Sequence, residues 1–333
     1  MKLIAWLLGT GKFFLGCFLL SISPFLAGDA FAEMEATFHL NNGYRVDDLD
    51  WSIAGNTDGN DPNILSELTW SDLKIYQIKA DGRVILGWFY LRGSIGYGWI
   101  LDGENQDSDY SGDDRALEFS RSNNSSDNGN VMDASVGVGY QFKPGSSRLR
   151  ITPLVGYSRH EQNLTLTDGV QTLSEPSISI GVTPAPVGPI SGLDSTYDTK
   201  WKGPWAGIDL SIEASSRITL FGSFEYHWAD YEAEGNWNLR GDFAHPVSFK
   251  HTADGNGFFS SAGGVFTINN WRISVTVDYH DWSTDAGTDR TFFAVDTDTD
   301  TDTDTTTVTS SVTRLNEVNW SSFAVMLGVT YRF

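Results

Sequence analysis

Two groups of residues have the types and spacing that water-activating chemistry requires. Asp107-Ser108-Asp109 places two carboxylates two residues apart, and Asp242 precedes His245 by three residues. A histidine oriented by a carboxylate can act as a general base near neutral pH, and neighbouring carboxylates attract cationic substrates. Asp107, Asp109, Asp242 and His245 are therefore the candidate catalytic residues. The alternative is that both segments are solvated acidic loops, in which Asp242 only sets up a turn.

The rest of the sequence offers no stronger catalytic or cofactor pattern. It contains no G-x-S-x-G, no H-E-x-x-H and no phosphate-binding glycine loop, so we expect no cofactor and no metal site. His251 is a weaker candidate base than His245. The alternating Asp and Thr residues at 296–305 predict a solvated acidic loop, with calcium binding as the alternative. We expect the remaining histidines to be polar lumen or rim residues: His39, His160, His227 and His280.

Charge and composition exclude several classes of protein. The formal net charge is −21 and the pI is near 4.4, which excludes nucleic acid as a partner because a binder must neutralise phosphates. The single Cys17 excludes a disulfide scaffold. Beyond residue 32, no apolar run approaches the length of about 18 residues that a membrane helix needs. The abundance of Gly and aromatic residues instead indicates aromatic-rich strands separated by turns.

The first 32 residues have the pattern of a secretory signal peptide. Lys2 and Lys12 form a positive start, an apolar stretch follows, and small residues stand before Glu33. The alternatives are a lipoprotein signal around Cys17 and a retained anchor helix. We predict a signal peptide over residues 1–32 and an exported acidic chain over 33–333.

The exported chain contains a series of segments that alternate with period two, as strands with one apolar face do. Near the C-terminus, every second residue is apolar and the residues between are small or mostly polar. The apolar set there is Phe323, Val325, Leu327, Val329, Tyr331 and Phe333. Segments around 134–140, 218–228 and 271–279 alternate in the same way. Segments near 65–80 and 256–268 alternate poorly, which predicts a β-bulge.

Alternation alone fits both a soluble sandwich and a membrane barrel, but three further features favour the barrel. Aromatic residues gather at strand ends, the strands run to about 10–17 residues, and long and short connections alternate. The short turns are predicted at 80–83, 143–147, 214–217 and 269–270, and the long loops at 46–64, 102–128, 164–200, 232–255 and 284–316. This count predicts an all-β fold: a ten-stranded antiparallel transmembrane β-barrel with long extracellular loops and short periplasmic turns, located in a bacterial outer membrane.

A ten-stranded barrel has a narrow interior, and the charges predicted to face it carry both signs. Buried charges must be paired or hydrated, so we expect internal salt bridges and water rather than an open pore. The predicted inward set is Asp133, Arg150, Asp209, Glu225, Arg272, Asp278 and Arg332.

Three short motifs resemble those of the omptins, the ten-stranded outer-membrane proteases of Gram-negative bacteria. Ser66-Glu67-Leu68-Thr69-Trp70 resembles the family's Ser-x-Leu-x-Trp on strand two, and Leu154-Val155-Gly156-Tyr157 resembles its Gly-Tyr on strand five. Lys202-Gly203-Pro204-Trp205-Ala206-Gly207 is similar to its Pro-aromatic-x-Gly on strand six. The strand count and loop order extend this resemblance over the exported chain. The chain also resembles chlamydial-type outer-membrane proteins of omptin-like or porin-like character.

The resemblance implies an aspartate pair and an Asp-His pair that together activate water for peptide cleavage. Asp107 and Asp109, followed by Tyr110, match the family's Asp-x-Asp and aromatic residue. The Asp-x-His expected soon after strand seven is missing, and Asp242 with His245 is the nearest substitute, at a different spacing.

Three hypotheses about function follow. The first is an acidic extracellular cleft that binds cationic peptides or proteins, with or without omptin-like endopeptidase activity. The second is a structural or adhesive barrel without chemistry, and the third is a small porin. The expected lipid partner is outer-membrane lipid, in particular lipopolysaccharide.

Overall fold

The strands form one antiparallel sheet that closes on itself. The computed structural model describes residues 34–145, 148–181, 183–296 and 306–331; the predicted signal peptide and Arg332 lie outside them. The first seven strands are β1 Met34–Ile53, β2 Ser66–Leu86, β3 Phe89–Tyr110, β4 Glu118–Ser125, β5 Gly129–Tyr140, β6 Leu149–Ser174 and β7 Gly188–Pro189. The others are β8 Asp194–Glu213, β9 Ile218–Asn236, β10 Phe249–Ile268, β11 Trp271–Thr284, β12 Gly287–Asp296 and β13 Thr306–Tyr331.

These strands occupy ten positions around a closed antiparallel ring. Strand β1 pairs with β13, which joins the two ends of the sheet. Strands β4 and β5 share one position between β3 and β6. Strands β11 and β12 share another between β10 and β13. The predicted ten-stranded antiparallel barrel is confirmed. In the described residues, no helix is long and apolar enough to span a membrane.

The outer face is apolar, as the period-two pattern predicted. On β13, Phe323, Val325 and Leu327 are exposed, whereas Ala324 and Met326 between them are buried in the interior. Exposed aromatic residues form two groups, separated along a strand by about ten residues, the length that a tilted strand needs to cross a membrane. On β3 these groups are represented by Phe89 near the periplasmic turn and by Trp99.

The connections differ from the prediction in extent. The turns at 214–217 and 269–270 are confirmed, but the turn expected at 80–83 lies at Gly87-Trp88. Asp81 faces the lumen, where it accepts a hydrogen bond from Asn41, so its charge marks the barrel interior rather than a turn. All five long loops are shorter than predicted, because strands continue as far as 26 residues. Above the membrane their outer face is polar, and the period-two signal is lost.

The irregular segments have two different causes. On β2, the register against β3 shifts between Ser71 and Ile75, which confirms the predicted bulge. Strand β10 keeps continuous register with both neighbours, so no bulge lies at 256–268. Small residues such as Gly263 and Gly264 blur the alternation there instead. Gly263 leaves room for the Phe221 ring, which a Cβ atom would approach to 2.5 Å.

Two of the sequence motifs meet in the barrel wall. Gly156 on β6 and Trp205 on β8 are cross-strand partners, and the indole of Trp205 lies over Gly156 and Gly137. A Cβ atom at Gly156 would come within 2.4 Å of this ring. The glycines therefore provide the space that the buried Trp205 fills.

Large aromatic side chains fill the upper half of the barrel. Trp201 lies 4.5 Å from Tyr231 between ring centroids, and Trp282 lies 5.6 Å from Trp320. We call the following fully or almost fully buried rings the aromatic plug: Trp51, Trp70, Tyr197, Trp201, Tyr231, Phe249, Trp282 and Trp320. Because they come from seven strands, they join the walls of the barrel across its centre.

Candidate functional site

Asp107 and Asp109 lie on the upper end of β3 and face the barrel interior. The sequence predicts them in a loop, which is wrong: β3 continues to Tyr110 and pairs with β2 and β4 at this level. Asp107 is the cross-strand partner of Leu68 and Ser122, and Asp109 is the partner of Ser66 and Ser120. The strand geometry puts both carboxylates on the same face, two residues apart.

The two carboxylates share a half-buried environment. Burial and the charge of Asp109 raise the pKa of Asp107 well above its ordinary value, while Arg240 and a hydrogen bond from Trp237 oppose the shift. Burial also raises the pKa of Asp109, against hydrogen bonds from Ser66 and Ser120 and the charge of Arg240. Two nearby carboxylates without full solvation resist ionising together. The pair therefore favours either a bound proton or a nearby cation.

Arg240 is a cation near this pair, and it lies in the connection between β9 and β10, residues 237–248. The positively charged Arg240 guanidinium lowers the pKa of both carboxylates of the pair. It also forms a two-pronged ion pair with Asp242, at 2.7 and 2.8 Å, and lies 3.9 Å from the centre of the Phe243 ring. We call residues 237–248 the arginine loop.

The other two candidate residues are bound within this loop. Asp242 pairs with Arg240, and the side-chain hydrogen bond of Arg240 lowers its pKa. His245 Nδ1 lies 2.8 Å from the Asn236 side-chain oxygen, and its Nε2 lies 3.2 Å from the Arg240 carbonyl oxygen. The structure thus pairs Arg240 with Asp242 and leaves Asp107 and Asp109 outside ion-pair distance of Arg240, while both ring nitrogens of His245 face partners in and beside the loop.

An Asp-His pair whose members are in contact lies below the arginine loop. His251 Nε2 is 3.3 Å from an Asp289 carboxylate oxygen, and His251 Nδ1 is 2.8 Å from the Tyr197 hydroxyl. Both members are buried, and Phe249 lies between His251 and Trp237, with ring centroids 5.0 and 4.6 Å away. Sequence reasoning ranked His251 low and missed Asp289, which stands on β12 in a segment predicted as loop.

Below the aromatic plug, a cavity of about 270 Å³ extends toward the periplasmic end. Its walls carry ion pairs of both signs, as predicted. Arg45 binds Asp133 at 2.7 Å, Lys79 binds Asp278 at 2.9 Å, and Arg92 binds Asp209 and Glu225 at 3.0 and 2.8 Å. Arg272 and the four histidines predicted for the lumen or its rim also line this cavity.

The charges near the periplasmic turns are paired too. Arg150 contacts Glu35 and Glu213 at 3.2 and 3.1 Å, so this predicted inward cation has two carboxylate partners. Within the described part of the chain, no cluster of three or more His, Cys, Asp or Glu side chains is spaced to hold a metal ion.

One of three comparisons with solved structures supports this architecture. The outer membrane protease OmpT from Escherichia coli superposes with a TM-score of 0.62 at 11% identity, over 90% of this chain and 96% of that one. The translocator domain of the autotransporter NalP from Neisseria meningitidis gives a TM-score of 0.32 at 9% identity, over 98% and 97%. A Pseudomonas aeruginosa FadL homologue gives 0.29 at 9%, over 90% of each chain. Only the likeness to OmpT supports the fold.

The sequence comparison supplies the family. No curated protein sequence matches the chain. The model of one family, described as Protochlamydia outer membrane protein, matches residues 39–333. This match and the OmpT-like barrel confirm the resemblance to an omptin-like chlamydial outer-membrane protein and the outer-membrane location. The chain belongs to the Protochlamydia outer membrane protein family, Pom.

Proposed function

We propose that the protein binds cationic peptides at its extracellular mouth, through Asp107 and Asp109. One observation carries this proposal: two half-buried carboxylates stand two residues apart on one face of β3 at the mouth, and Arg240, whose charge lowers the pKa of both, forms its ion pair with Asp242 instead. Two neighbouring carboxylates that resist ionising together are stabilised by a nearby cation, which an arginine or lysine of a ligand would supply. The net charge of −21 adds a long-range field that attracts cations to the mouth.

Peptide cleavage requires a general base in addition to a binding site. A general base must reach the attacking water, and His245 first has to leave Asn236 and the Arg240 carbonyl to do so. His251 lies beneath Phe249, away from the mouth. The proposal is therefore binding, with endopeptidase activity of the omptin type as an outcome that the same experiment detects.

The test uses full-length protein refolded in detergent, with and without lipopolysaccharide, and a fluorescent dibasic peptide. Anisotropy measures binding, and a fluorogenic version of the peptide measures cleavage. The Asp107→Asn, Asp109→Asn double variant should lose binding. The matched control, Asp58→Asn with Asp168→Asn, removes two exposed extracellular carboxylates and should keep it. Equal binding by wild type and the first variant would refute the proposal.

A structural or adhesive barrel is the second candidate, and the aromatic plug favours it over a porin. Ten strands enclose a narrow lumen, and buried indole rings from β1, β2, β8, β11 and β13 occupy its upper half. Planar-bilayer recordings should show no stable conductance steps. Exchange of the loop at 175–193 should change adhesion to host-derived ligands if display, rather than the acid pair, is the function.

The proposed lipid partner is lipopolysaccharide. Outward-facing cations lie just above the aromatic girdle at Trp228: Lys202 contacts Glu232 at 2.8 Å, and Lys200 contacts the same carboxyl group at 3.9 Å. This is the depth at which lipid phosphate groups lie, and lysine binds phosphate as a point charge. The lipopolysaccharide arms of the binding experiment test this partner.

A further inference from the structure

The β12–β13 hairpin extends past the end of β1, and its two edges differ there. The arginine loop covers the edge of β12, where the Ala294 N–H donates to the Asp242 carbonyl oxygen at 3.0 Å. On the edge of β13, the backbone of residues 54–56 covers Arg314, with hydrogen bonds of 2.9 and 3.2 Å. Over residues 308–312, no backbone group of the described residues pairs with this edge.

The alternation of backbone bonds shows which residues present their backbone groups to the open edge. The Ala294 N–H points away from β13, so Ala294 and its partner Val308 form a non-hydrogen-bonded pair. The same holds for Phe292 and its partner Ser310, because the Phe292 N–H also donates away from β13. The continuous register extends the pattern to Val312. The N–H and C=O groups of Val308, Ser310 and Val312 therefore face outward along one edge.

This edge lacks the features by which proteins usually prevent unwanted strand pairing. Those features are charged side chains, proline and β-bulges. Residues 308–313 are only Val, Thr and Ser, and their register against β12 has no shift. Residues 308–311 are exposed, and Val308 is 56% exposed. An extended chain can therefore add to this edge through backbone hydrogen bonds.

The sequence of the edge is complementary to itself. Counted outward from Ser310, the residues on the two sides match by type: Thr309 with Ser311, Val308 with Val312, and Thr307 with Thr313. In an antiparallel pair of two copies centred on Ser310, each valine lies opposite a valine and each hydroxyl residue lies opposite a hydroxyl residue. Cross-strand pairs of these types stabilise antiparallel strands. Such a contact uses the same surface on both copies, as the interfaces of twofold dimers do.

We propose that residues 308–312 of β13 bind the same segment of a second copy of the protein, as antiparallel strands centred on Ser310. Strand β13 is continuous from Thr306 to Tyr331 and runs from the extracellular side toward the periplasm. Two copies that pair antiparallel therefore approach from opposite directions, as proteins in two facing membranes do. This goes beyond peptide binding at the acid pair and assigns the hairpin to contact between cells.

A contact between two five-residue segments is small. It lies well below the roughly 1,000 Å² that a stable interface buries, so two single molecules should associate only weakly. Many copies on two facing surfaces add their contacts, and the resulting avidity can exceed the affinity of one contact by about a hundredfold or more. The effect is therefore expected between membranes.

The test measures clustering of lipid vesicles that carry the refolded protein, by dynamic light scattering. Wild-type vesicles should cluster. The variant Val308→Lys, Val312→Lys puts like charges opposite each other at both ends of the contact and should abolish clustering. The variant Val308→Lys, Val312→Glu puts unlike charges opposite each other in the antiparallel pairing, and like charges in a parallel one. It should restore clustering, which high salt should then weaken.

Three results would overturn the inference. They are the absence of clustering in wild type, equal clustering of wild type and the double-lysine variant, and failure of the lysine–glutamate variant to cluster. Both variants should keep binding of the dibasic peptide, because residues 308–312 lie outside the acid pair. This control shows that a variant which does not cluster is still folded.

A second pair of variants tests the backbone bonds. Ser310→Pro removes an N–H that faces the open edge, and proline is tolerated on edge strands. It should lose clustering, whereas the matched control Ser310→Ala keeps this N–H and should cluster as wild type does. Equal clustering of the two variants would contradict pairing through the backbone of β13.

Discussion

Carboxylates lie in two parts of the barrel interior, and their partners differ between the two parts. Below the aromatic plug, carboxylates have cation partners on neighbouring or facing strands, as Asp133 has Arg45 and Asp278 has Lys79. At the extracellular mouth, Asp107 and Asp109 stand together, and Arg240, whose charge lowers the pKa of both, forms its ion pair with Asp242. The lower carboxylates are neutralised by ion pairs inside the barrel, whereas the upper pair has no such partner in ion-pair contact among the described residues.

The largest effect is expected from breaking the lower network. Asp133 binds Arg45, Gln77 and His160 at 2.7–2.8 Å, so Asp133→Ala leaves a buried cation without this partner. Loss of one member of a buried ion pair costs about 3–5 kcal/mol. Urea unfolding in lipid vesicles should show this loss. If the variant unfolds at the same urea concentration as wild type, the lower charges do not hold the barrel together.

The upper pair should respond in the opposite direction. In Asp107→Asn, the like charge beside Asp109 and the cost of burying a second ionised carboxylate disappear, so the free energy of unfolding at neutral pH should rise. Peptide affinity should fall at the same time. If the variant loses both stability and affinity, the pair stabilises the fold as the lower ion pairs do.

The pH dependence sharpens the same contrast. Burial raises the pKa values of Asp107 and Asp109 in the folded protein, so the folded state binds protons more tightly than the unfolded state does. This contribution to stability is present below the ordinary pKa of about 4 and is lost as the pH rises through the raised values.

Peptide binding should follow the reverse course, because ionised carboxylates attract the peptide. Affinity should therefore increase as the pH rises from about 4 to neutrality. Anisotropy titrations of wild type and of Asp107→Asn, Asp109→Asn check this. An equally steep pH profile in the double variant would assign the titration to other groups.

The smallest effect is expected at an exposed ion pair outside both regions. Lys74 and Asp102 form a 2.5 Å pair at the surface, each with more than half of its side chain exposed. Water screens such a pair, so Asp102→Asn should change neither unfolding nor peptide binding measurably. A marked loss of stability would show that surface charge, rather than the buried network, supports this barrel.

The sequence predicted the barrel because its membrane-spanning part obeys a local rule. Alternation along Phe323–Val329 and the short turns at 214–217 and 269–270 reflect contacts with lipid and with the next strand, both of which act along short stretches of chain. Where strands rise above the membrane, water contacts the outer face and the alternation fades. That is why the loops were predicted too long, and why Asp107, Asp109 and Asp289 were placed outside strands.

By itself, the sequence determined the ten-stranded architecture, the acidic mouth and the mixed charges of the lumen. The tertiary structure decided which charges meet. Lys79 and Asp278 are 199 residues apart in the chain, and the charge that lowers the pKa of Asp107 belongs to Arg240, in the connection between β9 and β10. It also decided that His245 faces Asn236 and that His251 has Asp289 as its partner. Closure of the ring brings distant strands together, and such contacts leave no periodic signal along the chain.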